Sequence, residues 1–144
     1  MTSSPFLNQN ELGLISLFHS HLGPFTVLGG IAAKHAMMYL NPKRARQITC
    51  VVETVPKQPF LCVLDGIQVI SFCTMGKGNL IFNPLEENKI NLTLKFETET
   101  KKIVFKLKNI QELLDKAKDI KNLEKLANRI NMGRIDDLFD IERG

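Results

Sequence analysis

Phe60-Leu61-Cys62-Val63-Leu64-Asp65-Gly66-Ile67-Gln68 decides the fold, because its apolar residues suit a strand and a buried helix equally well. Pro56 and Pro59 bracket the loop that leads into it. Asp65, followed three residues later by Gln68, favours the helix. D-x-x-Q is a variant of the capping box, in which each side chain satisfies a backbone N–H left free at a helix start. The spacing predicts a short helix over about Gly66 to Thr74.

Upstream, the β-branched run Ile48 to Val55 predicts a central strand. Before it, Asn8 or Asn10 can cap a first helix that runs through about Phe18 and breaks at Gly23-Pro24. A second helix is predicted over about Phe25 to Leu40, where Gly29, Gly30, Ala32, Ala33 and Ala36 leave thin faces for close packing. Downstream, Gly76 to Asn79 reads as a loop and Leu80 to Phe82 as a short strand stopped by Asn83-Pro84. Ile90, Leu92, Leu94 and Phe96 alternate with polar residues, as do Ile103, Phe105 and Leu107, so the two runs predict a hairpin with one buried face and a turn over Glu97 to Lys102. Asn109 with Glu112 starts another helix, and Leu123, Leu126 and Ile130 mark the next, ended by Gly133. The order α-α-β-α-β-β-β-α-α describes one α+β domain over residues 1–144, an antiparallel-rich sheet with helices on one face.

A chain of 144 residues with 44% hydrophobic and 24% charged residues buries a sufficient core without staples. No apolar run reaches the roughly 18 residues that span a bilayer. Met1-Thr2-Ser3-Ser4-Pro5 lacks the layout of a secretory signal, so a cytoplasmic protein is expected. Three cysteines, Cys50, Cys62 and Cys73, suit a reducing compartment better than a disulfide framework. The net charge of +4 is spread through lysines that alternate with acids between Lys101 and Lys125, and nucleic acid is not expected as a partner.

Chemistry concentrates in two segments. His19-Ser20-His21 lies where the first helix gives way to Gly23-Pro24, and two histidines two apart converge only on a turning or extended backbone. Cys62 lies just before the proposed helix start, where free N–H groups favour a thiolate, although an isolated cysteine also serves as a small buried hydrophobe. His19, His21 and Cys62 make a three-ligand set for a zinc-like divalent ion with one open position. Asp65 reads as a helix cap or as a carboxylate that orients a histidine ligand. Cys73 is assigned to the core or the pocket wall, and Cys50 to the strand interior. Thr74-Met75-Gly76-Lys77-Gly78-Asn79 has the composition of an anion-binding loop or of a tight glycine turn, and it lacks the Walker A spacing.

Phe18-His19-Ser20-His21-Leu22-Gly23-Pro24-Phe25, Cys62-Val63-Leu64-Asp65-Gly66-Ile67-Gln68 and Cys73-Thr74-Met75-Gly76-Lys77-Gly78-Asn79-Leu80 together resemble the formylmethanofuran dehydrogenase E-subunit family. The likeness extends over roughly residues 12 to 140, with Asp136-Asp137-Leu138-Phe139 similar to the family's last helical segment. Its first motif is commonly F-H-G-H-x-C-P-G, and this chain departs from it at Ser20, Gly23 and Phe25, so position 23 offers no thiolate. The resemblance implies a mixed four-stranded sheet with core order α-β-α-β-β-β over about 12–108 and C-terminal helices over 109–140. It further implies a bound zinc or similar transition metal, a homodimer, and association with a redox enzyme complex. The cysteine-rich C-terminal module of many similar proteins is not expected in a chain ending at Gly144. The resulting expectation is a metal-binding protein whose ion is held by His19, His21 and Cys62, with Asp65, Gln68 and Cys73 around it and Lys77 facing an anionic ligand. The alternative is an accessory or assembly component without catalysis of its own, with Ile110 to Ile130 as the partner surface.

Overall fold

The structure, a computed structural model, describes residues 5–144, so the reading of Met1 to Ser4 lies outside the described residues. Helices α1 (Gln9–His19) and α2 (Pro24–Leu40) precede strand β1 (Thr49–Thr54), helix α3 (Cys62–Ile70), and strands β2 (Leu80–Pro84), β3 (Leu92–Glu97) and β4 (Lys102–Leu107). Helices α4 (Ile110–Ala117), α5 (Leu123–Asn131) and α6 (Ile135–Leu138) then lead into strand β5 (Phe139–Arg143). The sheet order is β2-β1-β3-β4-β5, with β1 and β2 parallel and every other pair antiparallel. The α+β class and the mixed sheet follow the expectation.

A fifth strand corrects the expected count of four, and the segment Asp136 to Phe139 is only the short α6 passing into it. Phe139 and Ile141 alternate with Asp140 and Glu142, a period of two that pairs Phe105 with Ile141 and Leu107 with Phe139. Phe139 thereby packs its ring 5.4 Å from that of Phe105, which extends the core to the sheet edge.

The start of α3 is a second correction, at Cys62 instead of Gly66. Backbone bonds from Leu61 N to Lys57 O, Cys62 N to Pro59 O and Val63 N to Phe60 O wind the preceding turn directly into the helix. The N–H groups that a cap would serve are already taken, and no capping box forms at Asp65 and Gln68. At the other end, Ser71 Oγ donates to Ile67 O and accepts from Cys73 N, which stops α3 short of Thr74.

Helix α2 is the hub, buried almost continuously from Pro24 to Ala33. Its thin faces are used as expected: a Cβ at Gly29 would stand 2.2 Å from Val63 O, and one at Gly66 would stand 1.9 Å from Thr26 O. The backbones of α2 and α3 therefore touch, and this contact fixes where Cys62 and Asp65 stand relative to α1. The helices cover the sheet face carrying Cys50, Val52, Leu94, Phe96, Ile103 and Phe105. The opposite face is charged, with Lys95 Nζ 2.8 Å from Glu53 Oε1. Among the described residues, no helix is long and apolar enough to cross a membrane.

Candidate functional site

The end of α1 shapes the histidine segment. Asn8 and Glu11 form a capping box at its start, and Ser20 at its end adopts a left-handed φ of 71°. That turn brings the His19 and His21 rings together, with centroids 4.7 Å apart and planes inclined by 44°. Gly23 then continues in extended backbone to the start of α2.

Asp65, freed from capping, reaches across from α3, and its Oδ2 lies 2.5 Å from His19 Nδ1. An Nδ1–H donated to a carboxylate leaves Nε2 of the neutral ring with its lone pair available to a metal or to a proton. The two readings of Asp65 are thus resolved in favour of the carboxylate that orients a histidine. His19, His21 and Cys62 line one cavity of about 280 Å³, with Phe25 and Pro59 as apolar wall. Ala117 and Leu123, from the α4–α5 connection, close the same cavity, and no sequence pattern had marked them as part of it.

The thiol of Cys62 departs from the expectation of a favoured thiolate. Partial burial pushes its pKa up, and the neighbouring Asp65 charge pushes it further in the same direction. The helix start offers no compensation, since its N–H groups are bonded to the carbonyls of the preceding turn.

Gln68, Cys73 and Lys77 do not join this cavity, whose lining includes none of them. Gln68 Oε1 accepts a hydrogen bond from Met75 N at 3.0 Å and so holds the loop after α3. Cys73 is fully buried, with its pKa raised by desolvation against smaller opposing effects of Ser71 and Lys77. In the glycine loop, Thr74 N donates to Asn79 Oδ1, Lys77 N to Thr74 Oγ1 and Gly78 N to Met75 O. Asn79 Nδ2 donates to the carbonyls of Ala45, Ile48 and Phe72, which fastens the loop to the fold. Most of its N–H groups are spent inward, as a structural turn requires and an anion cradle does not.

Two imidazoles and a thiol on one cavity, with a carboxylate behind one imidazole, fit a zinc-type ion in donor chemistry. In arrangement they are not yet a coordination shell. Among the described residues, no group of three or more His, Cys, Asp or Glu side chains stands close enough together to hold an ion.

An open mixed sheet with α2 at its centre, and a polar cavity where α1 meets α3, define a pocket-bearing α+β domain. The chain belongs to the FmdE family, described as molybdenum formylmethanofuran dehydrogenase operon, whose profile matches residues 18–139. A crystal structure of an FmdE-like protein of tungsten formylmethanofuran dehydrogenase from Syntrophus aciditrophicus superposes with a TM-score of 0.63 at 19% identity, covering 100% of this chain and 77% of that one. A probable S-adenosyl-L-methionine-binding protein of Archaeoglobus fulgidus is 26% identical over 105 residues, which are 69% of this chain. The match spans only 27% of that relative's length.

Proposed function

We propose that this FmdE-family domain binds one divalent transition ion of the zinc type through His19 and His21, with Cys62 as third donor. The observation that carries the reading is the 2.5 Å contact of Asp65 Oδ2 with His19 Nδ1, the partner that metal-bound histidines commonly have. Bound there, the ion would supply Lewis acidity at an open position. The chain's own residues do the rest: Asp65 holds the His19 ring, Phe25 and Pro59 keep one wall dry, and Cys62 gives up its proton on ligation. The test is elemental analysis of protein expressed with zinc supplied, beside the His19→Ala and Cys62→Ser variants. One equivalent in the parent and less than half in either variant is the expected result; a parent free of stoichiometric transition metal ends the proposal.

A second reading, an accessory component that docks on a redox enzyme, draws support from α1, which leaves Leu14, Leu17 and Phe18 exposed at helical spacing beside His19. Reproducible co-purification with a larger enzyme from the native cell, lost in Leu17→Lys, is its expected signature. A homodimer through the same face would give the same loss in the concentration dependence of the parent's mass.

A further inference from the structure

We infer that a second cavity, between the end of β4 and helices α4, α5 and α6, binds a small carboxylate with an apolar body. This cavity, of about 230 Å³, shares no lining residue with the one at His19. Its floor is Leu28 of α2, and its walls are Leu113, Leu126, Ile130 and Leu138. A lining that reaches the central helix from three sides is concave, which suits a small molecule better than the flat face of a partner protein.

The mouth is cationic. Lys108, Lys116, Arg129 and Arg134 line it, against Glu112 and Asp137. Lys116 Nζ is 3.2 Å from Glu112 Oε1, while Lys108 Nζ is 3.6 Å from Asp140 Oδ1 and donates to Asp136 O at 2.6 Å. Among the described residues, Arg129 and Arg134 form no ion pair, and neither does Asp137. Two guanidiniums against one carboxylate leave a single positive charge over an apolar floor, the complement of a monoanion with a hydrocarbon tail. Guanidinium presents paired N–H donors to a carboxylate, so the head group is specified by geometry as well as by charge. The inference does not rest on the metal reading, because no proposed ligand lies in this cavity.

The test titrates the full chain with octanoate, followed by NMR of its methyl groups and by calorimetry, with octanol and octylammonium as controls. Expected are saturable one-to-one binding with shifts at Leu126, Ile130 and Leu138, octanol weaker by about tenfold, and no saturation with octylammonium. The double variant Arg129→Gln/Arg134→Gln should weaken octanoate by about tenfold and leave octanol unchanged. Glu112→Gln, which releases Lys116, should tighten octanoate. Equal affinity for octanoate and octanol, shifts confined to other regions, or no response to the arginine pair would each overturn the inference. So would an acidic peptide that binds this groove more tightly than octanoate, since the groove would then serve a protein partner.

Discussion

His19 and Asp65, 46 residues apart in sequence, are joined by a hydrogen bond of 2.5 Å that ties the end of α1 to the first turn of α3. The pair is partly exposed, with side-chain exposures of 15% and 32%, so its value to stability is small and its value to ring orientation is large. Asp65→Asn is expected to lower zinc affinity by about 10- to 100-fold while moving the thermal midpoint little. Competition with a chelating dye measures the first and calorimetry the second. Unchanged zinc affinity would remove Asp65 from the site.

Gly23 stands where the commoner family motif has cysteine, and its φ of −120° is open to any side chain. A Cβ built there would lie 3.4 Å from His21 Nε2 and otherwise in ordinary contact. Gly23→Cys therefore adds a thiol beside the histidines without strain. Zinc binding should tighten by about tenfold or more, and the cobalt-substituted protein should gain thiolate charge-transfer absorption. A cobalt spectrum identical to the parent's would show that position 23 does not face the ion.

Ser20 is the other departure from that motif with a physical consequence. Its φ of 71° is left-handed, a conformation that costs a residue with a Cβ and costs glycine little. Ser20→Gly should raise stability by about 1 kcal/mol in urea denaturation, with the His19–Asp65 contact intact. A loss of stability would mean that the serine side chain contributes more than the turn costs.

Much of this arrangement was legible in the sequence, and the failures share a cause. Ile103, Phe105 and Leu107 announce their strand by strict alternation, whereas β5 has five residues, two of them acids and one an arginine, and gains its identity only by pairing with β4. The histidines and Cys62 reach one cavity because a single left-handed residue at Ser20 turns the chain, as the break at Gly23-Pro24 suggested. Asp65 and Gln68 misled as a capping box because the backbone of residues 57–61 had already met the need for a cap. Lys77 and Cys73 fell away for a similar reason: Asn79, at the end of the loop, makes four hydrogen bonds that turn the glycine loop into a fastener. Local patterns state what a segment can do, and long-range hydrogen bonds decide which option is used.

Gly66 and Gly13 are both helical glycines with opposite expectations. A Cβ at Gly66 would lie 1.9 Å from Thr26 O and 2.8 Å from Gly30 N, backbone atoms that cannot swing away, whereas one at Gly13 meets nothing within 4 Å. Gly66→Ala should destabilise by about 3 kcal/mol and weaken the cavity by displacing Cys62, and Gly13→Ala should stabilise by about 0.5–1 kcal/mol. Denaturant titration of the two variants gives the comparison, and equal midpoints would contradict the backbone contact of α2 with α3.

His35 predicts how stability varies with pH. Its ring meets Phe105 edge-on at 5.9 Å, and its Nε2 lies 3.3 Å from Arg143 Nη2. Burial first, and the Arg143 charge second, lower its pKa against a weaker opposing pull from Asp136. In the unfolded chain the imidazole protonates near pH 6.5, while in the folded protein it stays neutral to lower pH. The unfolded state therefore binds more protons over that interval. The contribution of His35 is fully present above about pH 6.5 and is lost as pH falls through the folded value. The urea midpoint should drop between pH 7 and pH 5, with a shallower drop in His35→Gln and in Arg143→Gln, where one cause of the shift is removed. A His35→Gln profile parallel to the parent's would show that the acid sensitivity arises from other groups.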